Sequence, residues 1–192
     1  MQLSKKIILG SGSPRRKSLM EQMGIPCVVR VMETDEVFPS DLEREEIPEF
    51  LAKQKAAAQQ HLLKEDELLI TADTIVWCNN RVYNKPSDAK EAFHMLSELS
   101  GQTHEVYTAI ALTSHTQQWT ACDRTEVSFR SMQPDEIQYY IKHYSPLDKA
   151  GAYGAQDWLG LTVITALRGS YFTVMGLPTH LLYQLLTPYI IL

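Results

Sequence analysis

The stretch Leu68-Leu69-Ile70-Thr71-Ala72-Asp73-Thr74-Ile75-Val76-Trp77 is the strongest apolar run in the chain, and a carboxylate stands inside it. Its length and turn signals predict a central strand. Asn79-Asn80 supplies the turn, and residues 81–84 read as a short second strand. Strand and helix patterns alternate around this centre. Residues 5–10 predict a buried strand, 14–23 a helix and 27–31 a further strand. Between 47 and 63, Ile47, Phe50, Leu51, Ala57, Ala58 and Leu62 fall on one predicted helical face. A helix over 88–99 carries Asp88-x-x-Glu91, a variant capping box, with Ala89, Ala92, Phe93, Leu96 and Leu99. The alternating segments 104–114 and 117–130 predict an antiparallel pair. A helix from Pro134 spaces Ile137, Tyr140, Ile141 and Tyr144 at one face. A Gly-rich loop, a strand near 161–166 and a helix from 178 follow. Long hairpins combined with crossover helices predict an α/β protein. The expectation is a single domain over 1–192, with a central elongated mixed β-sheet flanked by helices and room for two lobes around a cleft.

Composition narrows the partners. The chain has 192 residues, 44% of them hydrophobic, enough for one packed core. A net charge of −5 and a pI near 5.7 count against a general nucleic-acid binder, which shows a basic face. A small anion remains compatible where cations gather locally. No early run of about 18 apolar residues suggests a membrane span, and the N-terminal apolar run is too short for a secretion signal. The expected location is the cytoplasm. Cys27, Cys78 and Cys122 lie far apart without a CxxC, as expected of free thiols in a reducing compartment. The histidines form no HxH or HxxxH pair, so no zinc site is predicted.

Ser11-Gly12-Ser13-Pro14-Arg15-Arg16 follows the first strand directly. Ser13 is placed to be an N-cap and Pro14 the first helical residue, while Gly24 marks the helix stop. Arg15 and Arg16 then sit at the positive end of the helix dipole, an unfavourable place for cations. Their placement makes sense if an anion docks there, and a phosphate fits best.

Asp73 needs a partner, a metal or a raised pKa, because strand interiors exclude carboxylates. It reads as a structural hydrogen-bonding group, a metal ligand, a general base, or ligand and base together. Lys85, before Pro86, is either a solvated loop lysine or a phosphate contact. Lys55, flanked by Leu51 and Ala58 at helical spacing, either snorkels to solvent or meets a phosphate. Glu36 is a loop charge unless it shares a divalent ion with Asp73. In Asp148-Lys149-Ala150-Gly151-Ala152-Tyr153-Gly154-Ala155-Gln156, the glycines permit close backbone approach to a ligand, or make an ordinary turn. Together these groups suit a nucleoside triphosphate with Mg²⁺. No GxxxxGK[ST] is present, which excludes a P-loop enzyme.

The motifs SGSPRR, TADTIV, NKP, SGQTHEVYTAIAL and DKAGAYGAQ, in this order and spread over nearly the whole chain, resemble the Maf family of nucleoside triphosphate pyrophosphatases. The resemblance implies a fold similar to the inosine-triphosphate pyrophosphatases. It also implies a cytoplasmic homodimer that uses a divalent cation (Mg, Mn or Co), while the charge and hydropathy above predict no nucleic-acid or membrane partner. The implied reaction cleaves a triphosphate between its α- and β-phosphates, as house-cleaning of the nucleotide pool. Asp73 is the implied proton acceptor, with Glu36 a second metal ligand. Ser11, Ser13, Arg15, Arg16, Lys55, Thr74, Lys85 and Gln156 are the candidate substrate-binding residues, and Arg15, Thr74 and Gln156 are implied specificity positions. The AGAYGxQ form resembles the branch cleaving dTTP and UTP, whereas members preferring 7-methyl-GTP carry Glu there. A Gln amide matches the acceptor O4 and donor N3–H of uracil or thymine, while a carboxylate suits the donor-rich edge of guanine. Asp157, where glycine is expected, and Asn84, where glycine or glutamate is commoner, depart from the pattern.

The expected chemistry is in-line attack of water on the α-phosphorus, with Asp73 as base, metal ligand or both. Two other readings make different predictions. A nucleotide-binding regulator of septum formation would bind without turnover, and a monophosphate phosphatase would release inorganic phosphate.

Overall fold

The computed structural model describes residues 2–191. Its elements in chain order are β1 (Gln2–Leu3), β2 (Lys6–Leu9), α1 (Pro14–Gln22), β3 (Cys27–Val29), α2 (Glu46–Gln60), β4 (Glu67–Cys78), β5 (Arg81–Tyr83), α3 (Ala89–Leu99), β6 (Thr103–Thr113), β7 (Gln118–Phe129), α4 (Pro134–Tyr144), α5 (Trp158–Val163), β8 (Ile164–Arg168), α6 (Tyr171–Val174), α7 (Thr179–Leu186) and β9 (Ile190–Ile191). Strands hydrogen-bond in the order β3-β2-β4-β6-β7-β8, with β5 added to β4, and β1 pairs with β9 separately. β2 runs parallel to β3 and β4, with Ile8 opposite Val28 and Leu69. β5 and β8 run antiparallel to their partners. The sheet is therefore mixed, as the alternation of hairpins and crossover helices predicts. The chain forms two compact units: Met1–Asp73, Thr108–Asp123 and Gly176–Leu192 make the first, and Thr74–Tyr107 with Arg124–Met175 the second.

The first unit packs Ile8 and Leu69 of the sheet against Ala52 and Ala56 of α2, with Leu63, Ala109 and Ala111. The small alanines let helix and sheet approach, and Thr71 donates a hydrogen bond to the Ala52 carbonyl at 2.8 Å. This corrects the predicted face of α2. Its buried residues are Ile47, Pro48, Leu51, Ala52, Ala56 and Gln59, whereas Phe50, Ala57 and Leu62 are exposed. Ile47 and Leu51 are buried as predicted, but beyond them the core side is built from Ala52, Ala56 and Gln59. Gly10 is required by the same close approach: a Cβ there would lie 2.8 Å from Thr71 Cγ2 and 2.9 Å from both Gln59 Nε2 and Leu69 Cδ1. α1 stops as predicted. Gly24 adopts φ +68°, Gly24 N–H donates to Glu21 and Ile25 N–H to Met20, closing a Schellman motif.

In the second unit, Ala92, Leu96 and Leu99 of α3 and Ile137 and Tyr140 of α4 meet Val127 and Phe129 of β7. Asn79 and Asn80 adopt φ +50° and +55°, the left-handed pair that a two-residue hairpin demands. Asp88 caps α3 by accepting from Glu91 N–H at 2.8 Å, but the Glu91 carboxylate accepts from the N–H and hydroxyl of Ser87, one residue earlier than a capping box requires. The strand expected near 161–166 instead occupies Ile164–Arg168, and Trp158–Val163 is helical. Leu159 and Val163, four residues apart, are the buried positions of that short helix. The three cysteines are free. Among the described residues, no helix is long and apolar enough to cross a membrane. Ile190 and Ile191 of the apolar tail pair with β1, and Leu192 lies outside the described residues.

Candidate active site

The arginine turn is built differently from the sequence expectation. Ser13 stands at the N-cap position with extended backbone, but its side chain makes no cap. Ser11, which is buried, takes over part of that role: its hydroxyl accepts from Ser13 N–H at 3.3 Å and from Arg16 Nη1 at 3.0 Å. Arg16 also donates from Nε to the Gly176 carbonyl at 2.7 Å. One edge of its guanidinium is thus committed to the protein, and burial lowers its pKa while Asp73 opposes that shift. Arg15 is half-buried beside it in the first turn of α1, a turn that carries no acidic residue.

Asp73 is brought to its partners by two periodicities. Alternation along β4 turns Leu69, Thr71 and Asp73 to one face of the sheet. On α2, Ala52 and Lys55 are three residues apart, so they share a helix face. Ala52 meets Thr71, and Lys55 meets Asp73. The Lys55 ammonium lies 2.5 Å from Asp73 Oδ1 and 2.9 Å from Glu36 Oε1. Asp73 is only 6% exposed. Burial pushes its carboxyl above the usual range, with Lys55 and Arg16 pulling the other way. Asp73, Glu36 and Lys55 thus lie together, with the Lys55 ammonium, read from sequence as a solvent or phosphate contact, shared by the two carboxylates.

Among the described residues, no group of three or more His, Cys, Asp or Glu gathers as a metal cage. Asp73 and Glu36 nevertheless supply two hard oxygen donors that already share one cation. That donor set fits Mg²⁺ or Mn²⁺, which take few protein carboxylates and complete their shell with water and substrate oxygens.

The remaining predicted residues belong to the second unit. Thr74 follows Asp73 and is half-buried, whereas Lys85 is exposed after β5. The unusual Asn84 contributes its carbonyl, which accepts from Gly151 N–H at 3.1 Å, so side-chain type matters little there. Gly151 adopts φ +66°, and a Cβ on it would lie 2.9 Å from Val76 Cγ2. Its place in the loop therefore requires glycine. Gln156 is half-buried, and its Oε1 is buried without a hydrogen-bond partner among the described residues. Tyr140, read from sequence only as a core position, grips this loop: its hydroxyl accepts from Gly154 N–H at 3.1 Å and donates to Asp157 Oδ2 at 2.9 Å. Helical periodicity marks Tyr140 as buried but cannot reveal that its polar tip faces a loop.

The comparisons with known proteins bear on the whole chain. The family model for Maf-like protein matches residues 6–189. A dTTP/UTP pyrophosphatase of Bacteroides fragilis is 48% identical over 182 residues, covering 93% of each chain. A dTTP/UTP pyrophosphatase of Flavobacterium johnsoniae is 44% identical over 182 residues, covering 95% of this chain and 94% of the relative. The solved nucleoside-triphosphatase / dITP/XTP pyrophosphatase of Mycobacterium abscessus has 13% identity and a TM-score of 0.43, with 95% of each chain covered. With the family pattern running from Lys6 to Tyr189, and relatives this similar over nearly their full length, the chain belongs to the Maf-like protein family.

Proposed function

We propose that this protein hydrolyses dTTP and UTP to the nucleoside monophosphate and pyrophosphate, as house-cleaning of the nucleotide pool. The observation that carries the proposal is the buried Asp73 carboxylate shared with Glu36 across the Lys55 ammonium. Relatives named dTTP/UTP pyrophosphatase support the choice of reaction and substrates. They do not favour a purely regulatory nucleotide-binding role.

In this reading water attacks the α-phosphorus in line. A new P–O bond forms from the water, the bond to the α,β-bridging oxygen breaks, and pyrophosphate leaves. Asp73 accepts the proton of the attacking water. Its raised pKa makes its ionised form a better base than an ordinary aspartate. Arg15 and the first-turn N–H groups of α1 hold phosphate oxygens. Arg16 orders the turn through Ser11 and Gly176, and adds positive charge. Ser13 and Thr74 contribute further polar contacts. Lys55 and Lys85 offset charge on the departing pyrophosphate. A divalent ion (Mg, Mn or Co), held by Asp73 and Glu36, would when bound neutralise substrate oxygens and acidify water. Gln156 reads the pyrimidine edge, its amide complementing N3–H and O4.

The cytoplasm is the proposed location and a homodimer the proposed assembly. Val28 and Val29, exposed on the edge strand β3, are compatible with pairing to a second copy. Incubation with dTTP, UTP, CTP and GTP plus Mn²⁺, followed by assay of monophosphate and pyrophosphate, tests the reading. Pyrophosphate from dTTP and UTP is expected, with loss of turnover on chelation and recovery on adding Mn²⁺. Binding without turnover, or release of inorganic phosphate alone, overturns it.

A further inference from the structure

We infer that Asp157, gripped by Tyr140, is a positioning residue for base selection that aligns the amide of Gln156. The inference rests on the proposed role of Gln156 as reader of the nucleobase. Tyr140 is fully buried on α4, and its one hydroxyl bridges the loop on both sides of Gln156, to Gly154 N–H and to the Asp157 carboxylate. Asp157 N–H closes the same turn on the Gly154 carbonyl at 3.1 Å. Lys149 Nζ lies 3.6 Å from the carboxylate oxygen that Tyr140 also holds. Burial, together with the adjacent Asp157 charge, raises the Tyr140 pKa, so the phenol stays a hydrogen-bond donor.

Gly154 shows what this grip does. A Cβ on Gly154 would lie 2.6 Å from Asp157 Oδ2 and 2.9 Å from Gln156 Nε2. Both side chains fold back over the same bare α-carbon, and the nitrogen end of the amide is the end on the carboxylate's side. A flipped amide would bring its oxygen towards that anion, which is electrostatically unfavourable. With the nitrogen over Gly154, Oε1 is the reading atom. It is buried without a hydrogen-bond partner among the described residues, so a substrate N–H can supply the missing bond after a small side-chain adjustment. Uracil and thymine carry an N–H at N3, whereas cytosine carries a lone pair there. An oriented acceptor therefore favours UTP and dTTP over CTP.

The test compares kcat and KM for UTP and CTP in the intact protein with Mn²⁺, for wild type, Asp157→Ala, Tyr140→Phe and Gln156→Ala. Asp157→Ala and Tyr140→Phe are each expected to lower the UTP:CTP ratio of kcat/KM by about tenfold, through KM for UTP, with kcat on UTP kept within about threefold. An equal change for both nucleotides in these two variants overturns the inference. Where Asp157→Ala fails to fold, as seen by melting temperature, Tyr140→Phe decides by removing a single hydroxyl. The outcomes also separate the inference from the reading beneath it. If Gln156→Ala leaves the ratio unchanged, the base-reading role of Gln156 fails. If Gln156→Ala collapses the ratio while the other two leave it intact, only the role of Asp157 fails.

Discussion

Asp73 combines two properties that oppose each other in most proteins: deep burial and close cationic partners. Burial prevails, so its carboxyl titrates above the ordinary aspartate value of about 3.9. A base must be ionised to work, so kcat should fall as pH drops through this raised value. The acid limb of the kcat–pH profile is then expected to lie above that of a solvated aspartate. Asp73→Asn should lower kcat by about 10²–10⁴-fold while its circular dichroism spectrum matches wild type. Near-normal turnover in that variant would remove Asp73 from the chemistry. At this scale the sequence is legible where a residue conflicts with its surroundings. Asp73 stands out in an apolar strand, and Arg15 and Arg16 stand out at the positive end of a helix. Partnerships made through backbone atoms leave no such mark. The carbonyl that fixes Arg16 belongs to Gly176, 160 residues away, and every residue type has a carbonyl.

Elements add constraints that single residues do not show. Helix α4 opens with a full capping box in which Gln133 and Glu136 bond each other's backbone N–H groups. Arg130 adds two hydrogen bonds to the same Glu136 carboxylate, at 3.0 and 2.7 Å. These contacts hold Glu136 at about 2, well below an unfolded glutamate near 4.3. The stability it contributes is therefore complete above about pH 4.3 and lost as pH falls through about 2. Urea midpoints across that range should decline in wild type and less steeply in Glu136→Gln. Gly10→Ala is expected to cost about 1–3 kcal/mol in urea unfolding, because Thr71, Gln59 and Leu69 leave no room for a methyl group. The same tight packing explains why the face of α2 is legible only at Ile47 and Leu51. Its contact with β4 needs small side chains, so Ala52, Ala56 and Gln59 are buried where larger residues would be expected. Strand β8 lies later than the apolar pattern predicts for a related reason, since the apolar residues before it belong to the short helix α5.

For the molecule as a whole, mixed-sheet α/β architecture is legible because it depends on element order, which hydrophobic period and turn residues state directly. The pH range over which the protein stays folded depends on a group outside the candidate site. His104 is buried against Phe129 and Tyr153, and Nε2 pairs with the Tyr153 hydroxyl at 2.8 Å. Burial pulls its pKa down to about 3. The unfolded imidazole titrates near 6.5, so the stability linked to neutral His104 is full above about pH 6.5 and falls as pH drops towards 3. Melting temperature should decline between pH 7 and 5, and His104→Phe should flatten that decline. The Arg16–Gly176 bond also has a consequence for synthesis. Glu36, Lys55 and Asp73 all lie within the first 73 residues, spaced 19 and 18 apart. A nascent chain can therefore assemble its charged cluster early, because contacts so close in sequence close small loops. The carbonyl that orients Arg16 reaches the ribosome exit only after residue 176 has been added. Translation thus makes the carboxylates and their lysine well before the seat of Arg16, so a nascent chain can gather its charged cluster while Arg16 still awaits the carbonyl that orients it.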